Sequence, residues 1–297
     1  MEYILRTKNL TKQFGEKFAV RGVSMQIRKG EIYGFIGKNG AGKTTLMRLI
    51  LGAAMPTDGS IELFGGEDEN SARHRIGALL EYPCIYKNCS ALENLRRFAI
   101  LTGNDTDELE DILELVGLGK VGNKKAGQFS LGMKQRLAIG IALLGHPEFL
   151  VLDEPINGLD PAGIKEIRDV ILALNQKKGV TFLISSHLLD ELSKIVTTYG
   201  IIKDGVLIEQ ITAPELQAKC RHHLKIAADD IPKTAALLEC LTDKRYIKVD
   251  DGCLYLYDLI DKSDRINRLL VNHGIRVSEL AVQTASLEEY FLERMGK

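Results

Sequence analysis

The chain has 297 residues, of which 45% are hydrophobic and 27% are charged, and its net charge is −1 at pH 7. This composition is typical of a globular protein that is long enough for a large core and for two domains. It excludes a strongly basic nucleic-acid-binding protein, and we find neither an apolar stretch long enough to span a membrane nor the pattern of a signal peptide.

The first segment has the alternating pattern of antiparallel strands. Residues 23–27 and residues 61–63 alternate between apolar and polar side chains, a period that is typical of half-buried strands. Phe14 stands directly before a turn at Gly15. An aromatic ring at that point either belongs to the core or stacks on the base of a nucleotide.

A glycine-rich loop lies between a short apolar run at residues 32–36 and a helix-like run at residues 46–51. It fits the pattern G-x-x-x-x-G-K-[ST] in the strand, loop and helix context of a phosphate-binding P-loop. Its glycines let the backbone approach a phosphate, and the N-terminus of the following helix favours an anion. Lys43 adds a charge for the outer phosphates, and the Thr44 hydroxyl is a ligand for Mg²⁺. The predicted phosphate-binding residues are Gly37, Lys38, Asn39, Gly40, Ala41, Gly42, Lys43, Thr44 and Thr45.

Helical periodicity replaces the strand pattern from about residue 82 to residue 145. It predicts one helix around residues 92–100 and a second around residues 109–116. Ser130 is predicted to be the N-cap of a third helix. The apolar residues that we place on one side of this third helix are Met133, Leu137, Ile141 and Leu144.

Two carboxylates follow a short apolar run at residues 149–152, which is typical of a buried parallel strand. A carboxylate at the tip of such a strand, next to a P-loop, can hold Mg²⁺ directly or through water, and this role falls to Asp153. The adjacent Glu154 can take a proton from an attacking water. The alternative interpretation is a pair of exposed acids at the end of a strand, and the P-loop upstream weakens it.

A histidine follows a second apolar strand, predicted at residues 180–184. Because open α/β sheets bind ligands at the carboxyl ends of their strands, His187, Asp153 and Gly37 are expected to converge. An imidazole in that position can bond the γ-phosphate of a nucleotide. Between the two strands, Asp160 is predicted to be the N-cap of a long amphipathic helix.

The pattern restarts after a hairpin predicted at residues 201–208. The elements predicted in residues 214–297 are strands at 224–226 and 277–282, a hairpin at 246–257, and helices at 235–241, 266–273 and 287–295. This mixture of strands and helices indicates a small α+β unit, and we find no catalytic pattern in it. The adjacent His222 and His223 point to opposite faces of a strand, which favours a structural role over a metal site. A regulatory ligand-binding module is a further interpretation of this unit.

Taken together, the motifs of residues 3 to about 213 resemble the nucleotide-binding subunit of an ATP-binding-cassette (ABC) transporter. They occur in the order of that family: Walker A at 37–45, a signature at 129–136, Walker B at 150–154, a D-loop at 157–160 and a switch histidine at 187. The resemblance implies an α/β fold with a P-loop ATPase core (RecA-like), an N-terminal antiparallel β subdomain and a helical subdomain at about 82–145. It implies an ABC-type ATP-binding domain at 1–213, followed by the small C-terminal α+β unit as an accessory domain at 214–297.

The resemblance also implies a site that two subunits complete. In that family two copies sandwich two ATP molecules, each between one Walker A loop and the signature of the other copy. The resemblance assigns adenine stacking to Phe14, metal binding to Thr44 and Asp153, general base chemistry to Glu154 and γ-phosphate contact to His187. The residues that would contact ATP in trans are Ser130, Gly132, Met133 and Asp160, and Asp160 would serve as helix N-cap as well.

Three features depart from the family pattern. The signature reads Ser-Leu-Gly-Met in place of the common Ser-Gly-Gly-Gln, and Lys38 replaces a frequent proline and adds charge beside the phosphates. Glu81 stands where most members have a glutamine that links the nucleotide site to the helical subdomain, and a carboxylate is a stronger Mg²⁺ ligand than an amide. A glutamate there, together with this signature, resembles the branch of lantibiotic self-immunity and bacitracin-resistance ATPases.

The resemblance therefore implies an ATP-hydrolysing subunit that uses ATP and Mg²⁺, dimerises on ATP and drives a separate integral-membrane permease from the cytoplasmic face of the membrane. The branch implies export of, or immunity to, a peptide antibiotic or similar amphiphile. Two alternatives stay open: an exporter of a drug or lipid, and a soluble ABC ATPase that acts in assembly or repair without a permease. We expect no nucleic-acid partner.

Overall fold

The structure is a computed structural model that describes residues 2–66, 68–81, 84–220, 222–250, 252–284 and 287–295. The chain divides into two units, Met1–Ala213 and Pro214–Lys297. In chain order, the strands and helices of the first unit are β1 (Tyr3–Phe14), β2 (Lys17–Val23), β3 (Gln26–Arg28), β4 (Ile32–Ile36), α1 (Lys43–Ile50), β5 (Asp58–Leu63), α2 (Glu69–Arg73), β6 (Ile76–Leu79), α3 (Ala91–Thr102), α4 (Leu109–Leu115), α5 (Leu131–Ala142), β7 (Phe149–Asp153), α6 (Pro161–Lys178), β8 (Thr181–Ser186), α7 (Leu189–Leu192), β9 (Thr198–Lys203) and β10 (Val206–Thr212).

A small antiparallel sheet forms around the long strand β1, which pairs with β2, β3 and β5. The alternation at residues 23–27 belongs to two strands, because β2 ends at Val23 and β3 begins at Gln26. Thr7 on β1 spans this break: its hydroxyl donates to the Val23 carbonyl at 2.9 Å and accepts the Met25 N–H at 3.0 Å. The interruption thus keeps its backbone hydrogen bonds.

A larger sheet has the strand order β10-β9-β4-β8-β7-β6. All neighbouring pairs are parallel except β10 and β9, which form a hairpin. Every residue of β4, β7 and β8 is buried, as expected for strands covered on both faces. Because β8 lies between β4 and β7, the carboxyl ends of these three strands are neighbours at one edge of the sheet.

The helices α3, α4 and α5 pack against one another. The apolar side predicted for α5 is wrong at its end, because the helix ends before Leu144. Leu137 is buried, whereas Met133 and Ile141 are only half-buried. A Cβ added at Gly140 would lie within 3.6 Å of side chains of α3 and α4. The buried residues of α5 therefore include a glycine at its contact with α3 and α4, and a search for large apolar side chains does not detect this position.

The second unit begins with α8 (Ala213–Lys219), whose first residue is the last of the first unit, and continues with β11 (His222–Ala228), α9 (Ile231–Glu239), β12 (Ile247–Asp250), β13 (Cys253–Leu256), α10 (Ser263–Asn272), β14 (Val277–Thr284) and α11 (Leu287–Met295). Its antiparallel sheet has the order β12-β13-β11-β14. Residues of β11, β13, α9 and α10 share one apolar core, so these two helices cover the same sheet face.

The architecture has the predicted fold class: an α/β core with an antiparallel β part and a helical part, followed by a small α+β unit. Within the described ranges, no helix combines the length and the apolar character that crossing a bilayer demands.

Candidate active site

A cavity of about 540 Å³ lies where the glycine-rich loop, the end of β7 and the β9–β10 turn come together. This volume is in the range of small-molecule sites. The lining residues are Phe14, Lys17, Phe18, Ala19, Asn39, Gly40, Gly42, Lys43, Thr44, Thr45, Asp153, Glu154, Asp204 and Gly205. The cavity thus combines two aromatic rings with lysine, hydroxyl and carboxylate groups.

The glycine-rich loop between β4 and α1 is held by close backbone contacts. Gly42 has a φ of +106°, and a Cβ there would lie 2.3 Å from the Ala19 carbonyl oxygen. A Cβ at Gly37 would lie 2.5 Å from the carbonyl oxygen of Ile202. Only glycine fits such positions without displacing the backbone. The Gly205 N–H also donates to the Ala41 carbonyl at 2.9 Å, so the β9–β10 turn supports the loop.

The N-terminus of α1 faces this cavity. The helix has no side-chain cap at Gly42, and its first residues Lys43, Thr44 and Thr45 line the cavity. Free N–H groups and the helix dipole at such an end favour a phosphate. The loop and helix therefore fit the phosphates of a nucleotide.

Lys43 is almost fully buried, at 6% exposure. Its ammonium donates to the Gly37 carbonyl at 2.7 Å and to the Lys38 carbonyl at 3.3 Å, and it forms an ion pair with Glu154 Oε1 at 3.3 Å. These partners offset the cost of burying a charge. The lysine is thus held at the inner end of the loop, beside the carboxylate that the sequence marks as a base.

Asp153 ends β7 with both carboxylate oxygens in hydrogen bonds. Thr44 Oγ1 donates to Oδ2 at 2.6 Å, and the Ser185 hydroxyl donates to Oδ1. A hydroxyl beside a carboxylate is the oxygen donor set that Mg²⁺ prefers. Within the part of the chain that the structure describes, no group of three or more His, Cys, Asp or Glu side chains forms a metal cage. These two groups therefore fit a cation that takes its other ligands from water and phosphate.

Glu154 connects this pair to His187. The His187 Nδ1 atom lies 2.8 Å from Glu154 Oε2, within hydrogen-bond distance. Glu154 has a φ of +49°, and its N–H donates to Ser185 Oγ at 2.9 Å. A carboxylate held between a lysine and a histidine, next to a phosphate-binding loop, is in place to accept a proton from water.

The two aromatic rings that line the cavity belong to residues at the junction of β1 and β2. The Phe14 ring is 57% exposed, and the Lys12 ammonium lies 4.9 Å from its centroid. Phe18 is also exposed and also lines the cavity. An exposed ring at the mouth of a polar cavity can stack on a nucleotide base, the second of the two interpretations of Phe14.

Most predicted site residues lie at this one place. The predicted residues that line the cavity are Phe14, Asn39, Gly40, Gly42, Lys43, Thr44, Thr45, Asp153 and Glu154. Gly37 and Ala41 support the loop through their backbones, and His187 joins through Glu154. The Lys38 side chain is exposed and does not line the cavity in the described residues.

Glu81 forms an ion pair that the sequence did not indicate. Its carboxylate forms an ion pair with Arg48 of α1, both side chains being about half exposed, and it does not line the cavity among the residues described. Glu81 is thus linked to the P-loop helix through Arg48. A contact of Glu81 with Mg²⁺ or phosphate stays a prediction.

The residues predicted to act in trans cap two helices. The Ser130 hydroxyl accepts the Met133 N–H at 3.2 Å at the start of α5, and Asp160 Oδ1 accepts the Gly163 N–H at 3.1 Å at the start of α6. A Cβ at Gly132 would lie 3.6 Å from Gly163, so the two helix starts are neighbours. The N-cap half of the Asp160 prediction is confirmed, and the contacts in trans stay predictions.

Sequence reasoning missed Ser185 and the turn residues Asp204 and Gly205. Ser185 stands two positions before His187. Because residues two apart in a strand point to the same face, this spacing could have indicated that Ser185 lies near the site. The turn was predicted as a hairpin, but its position beside the cavity follows from the tertiary fold alone.

The chain resembles known proteins along its whole length. The model of the family described as ABC transporter matches residues 20–157. The chain is 40% identical to the bacitracin transport ATP-binding protein BcrA of Bacillus licheniformis, over 100% of this chain and 98% of that relative. It is 41% identical to the lantibiotic transport ATP-binding protein SrtF of Streptococcus pyogenes, over 69% of this chain and 89% of that relative. Among solved structures, MJ1267, an ATP-binding cassette of an ABC transporter in its ADP conformation, superposes with a TM-score of 0.67 at 32% identity, over 72% of this chain and 92% of that one.

Proposed function

Because the chain belongs to the ATP-binding proteins of ABC transporters and is an ATPase of that type, we propose that it pairs with a second copy on ATP and powers a separate membrane permease. The proposed task is export of, or immunity to, a peptide antibiotic or similar amphiphile. The observation that carries the proposal is the connected set of Lys43, Thr44, Asp153, Glu154 and His187 at the edge of the sheet.

Lys43 and Thr44 bind the phosphates in this proposal. The Lys43 ammonium leaves its carbonyl partners for phosphate oxygens, while the N–H groups at the start of α1 hold the same anion. Thr44 and Asp153 would hold Mg²⁺, which when bound neutralises charge on the phosphate oxygens. The support is the direct Thr44–Asp153 hydrogen bond, which brings the two ligands together.

Glu154 acts as the general base. It takes a proton from the water that attacks the γ-phosphate, a role worth typically about 10²–10⁴-fold in rate. His187 holds the carboxylate through its Nδ1 atom and contacts the γ-phosphate. The Phe14 ring stacks on the adenine at the other end of the cavity.

A second copy completes the site. Ser130 is exposed at the start of the twelve-residue helix α5, where a hydroxyl and a helix N-terminus together attract an anion. Ser130, Gly132 and Met133 of one copy would contact the γ-phosphate bound by the other, with Asp160 beside them. The support is that the starts of α5 and α6 lie next to each other.

The proposal of a permease partner and of a peptide-antibiotic cargo rests on the relatives. One relative is named for bacitracin transport and another for lantibiotic transport, and both compounds are peptide antibiotics. We place the chain at the cytoplasmic face of the membrane, held there by the permease. The helices α3, α4 and α5 would form the surface through which the two communicate.

The test is a deletion strain that is complemented with the tagged chain. We expect deletion to sensitise cells to a bacitracin-type or lantibiotic peptide, the wild-type chain to restore resistance, and Glu154→Gln to fail. A multi-span membrane protein is expected to co-purify with the tagged chain. Unchanged sensitivity together with no membrane partner would contradict the proposal and favour an ATPase that acts without a permease.

A further inference from the structure

One buried serine, Ser185, contacts both acidic residues of the site. It lies on β8, opposite Asp153 of β7 and opposite Phe35 of β4. Its side chain has 0% exposure. Because β8 lies between the strand that leads into the P-loop and the strand that ends at Asp153, Ser185 occupies the central position of this edge.

The hydroxyl of Ser185 both donates and accepts a hydrogen bond within the site. It donates its proton to Asp153 Oδ1 and accepts the Glu154 N–H at 2.9 Å. With the Thr44 hydroxyl on Asp153 Oδ2, a continuous chain of hydrogen bonds runs from α1 through Asp153 and Ser185 to the Glu154 backbone. A hydroxyl has one proton to donate, and here that proton goes to the carboxylate.

The second contact bears on the backbone of the proposed base. Glu154 has a φ of +49°, a conformation that costs energy for a residue with a Cβ. Its N–H has two acceptors, Ser185 Oγ at 2.9 Å and the Ser185 carbonyl at 3.2 Å. The serine thus helps to hold the turn that directs the Glu154 carboxylate towards Lys43 and His187.

We propose that Ser185 is a positioning residue of the ATPase, which fixes the rotamer of Asp153 and the backbone of Glu154 at the same time. This inference rests on the proposed roles of those two acids. Removing the hydroxyl leaves Asp153 Oδ1 buried without this partner and frees the carboxylate to turn away from Thr44. Glu154 then loses the closer of its two acceptors, so the base is less well aligned.

The experiment compares Ser185→Ala, Ser185→Thr and Thr181→Val in the full chain. Thr181 is the matched control because it is a fully buried hydroxyl of the same strand, which accepts the Gly30 N–H at 2.9 Å at the opposite end of β8. Ser185→Thr keeps the hydroxyl. Two quantities are measured for each variant: kcat, and the affinity for ATP by calorimetry with EDTA and with Mg²⁺.

We expect Ser185→Ala to lower kcat by about tenfold or more, as for loss of a hydrogen bond that aligns a catalytic group. The affinity for ATP in EDTA should stay within about twofold, while the gain in affinity on adding Mg²⁺ should shrink, because Asp153 is displaced and the P-loop is not. Ser185→Thr should recover most of both losses, and Thr181→Val should show neither.

Two results would overturn the inference: a Ser185→Ala protein with normal kcat and a normal Mg²⁺ effect, or a Thr181→Val protein with the same losses. Glu154→Gln, measured alongside, separates this inference from the proposed function. If Glu154→Gln turns over normally, the assigned role of the base is wrong. If it is inactive while Ser185→Ala is normal, only the role of Ser185 is wrong.

Discussion

Lys43 is the residue that ties the phosphate-binding loop to the proposed base. Its ammonium is buried and is shared between two loop carbonyls and the Glu154 carboxylate. A hydrogen bond from a charged donor is strongest in a poorly hydrated site, so the Lys43 ammonium should bind phosphate oxygens tightly. The sequence predicted this residue from the loop pattern, but the contact with Glu154 depends on two segments more than a hundred residues apart.

Lys43→Ala is expected to weaken ATP binding by about a hundredfold or more, so that no binding is seen at micromolar ATP by calorimetry. Lys38→Ala is the matched control, since Lys38 is a neighbouring lysine of the same loop whose side chain is exposed. We expect this control to bind ATP within about threefold of the wild type. Equal losses in the two variants would contradict the role assigned to Lys43.

Glu81→Gln is expected to retain ATPase activity and to change resistance in cells. The amide cannot form the ion pair with Arg48, so the link between α1 and the segment that leads to α3 is weakened. Arg48→Gln breaks the same ion pair from the other side and should give the same change in resistance. Resistance identical to the wild type in both variants would remove Glu81 from the account of coupling.

At the scale of elements, local patterns were enough for many features. The helix starts at Ser130 and Asp160 were predicted from capping residues, and the structure contains both side-chain caps. Strands β7 and β8 were predicted from short apolar runs. By contrast, β6 was not predicted, because the four residues Ile76–Leu79 carry a glycine and no clear period.

What the sequence could not supply depends on packing between distant segments. The helix α5 contacts α3 and α4 closely at Gly140, a position that a pattern of large apolar residues does not reveal. Ser185 acquires its partners only because β8 inserts between β4 and β7. Glu81 forms an ion pair with Arg48, a contact that no local rule predicts.

The amino end of β7 carries a charge cluster that makes stability depend on pH. The Lys29 ammonium and the Arg75 guanidinium hold the pKa of Glu148 below its ordinary value. The folded state therefore favours the carboxylate, and this stabilisation is present above the ordinary carboxyl pKa and is lost as the pH falls below it. The cluster links the segments that precede β4, β6 and β7, because Lys29, Arg75 and Glu148 lie shortly before these strands.

Glu148→Gln is expected to lower the free energy of unfolding by about 1 kcal/mol near pH 7, a modest value because the group is partly exposed. The difference from the wild type should already be smaller at about pH 4, where the Glu148 carboxyl of the unfolded chain, whose pKa is not lowered, takes up a proton. Urea unfolding of the wild type and the variant at about pH 7 and about pH 4 measures the free energy of unfolding and its change with pH. Glu62→Gln, which breaks a single exposed ion pair with Arg6, should change stability less, and a larger loss in Glu62→Gln would contradict the role of the cluster.

At the scale of the whole molecule, the nucleotide site occupies the first unit and leaves the second unit without an assigned task. Apart from α8, the order of strands and helices in that second unit was predicted from periodicity, and its core between sheet and helices follows from the same pattern. The family and the ATPase activity were also predicted, from motifs that lie far apart in the chain. The roles of the residues in trans stay predictions, because they need a second copy.

In the proposed function, ATP joins two copies of this chain. Glu154→Gln keeps the phosphate-binding groups and removes the base, so bound ATP should persist and hold the dimer. Light scattering with saturating ATP should give about twice the single-chain mass of 32.9 kDa for this variant, and the double variant Lys43→Ala, Glu154→Gln should stay at the single-chain mass. A single-chain mass for Glu154→Gln, with ATP bound, would contradict the claim.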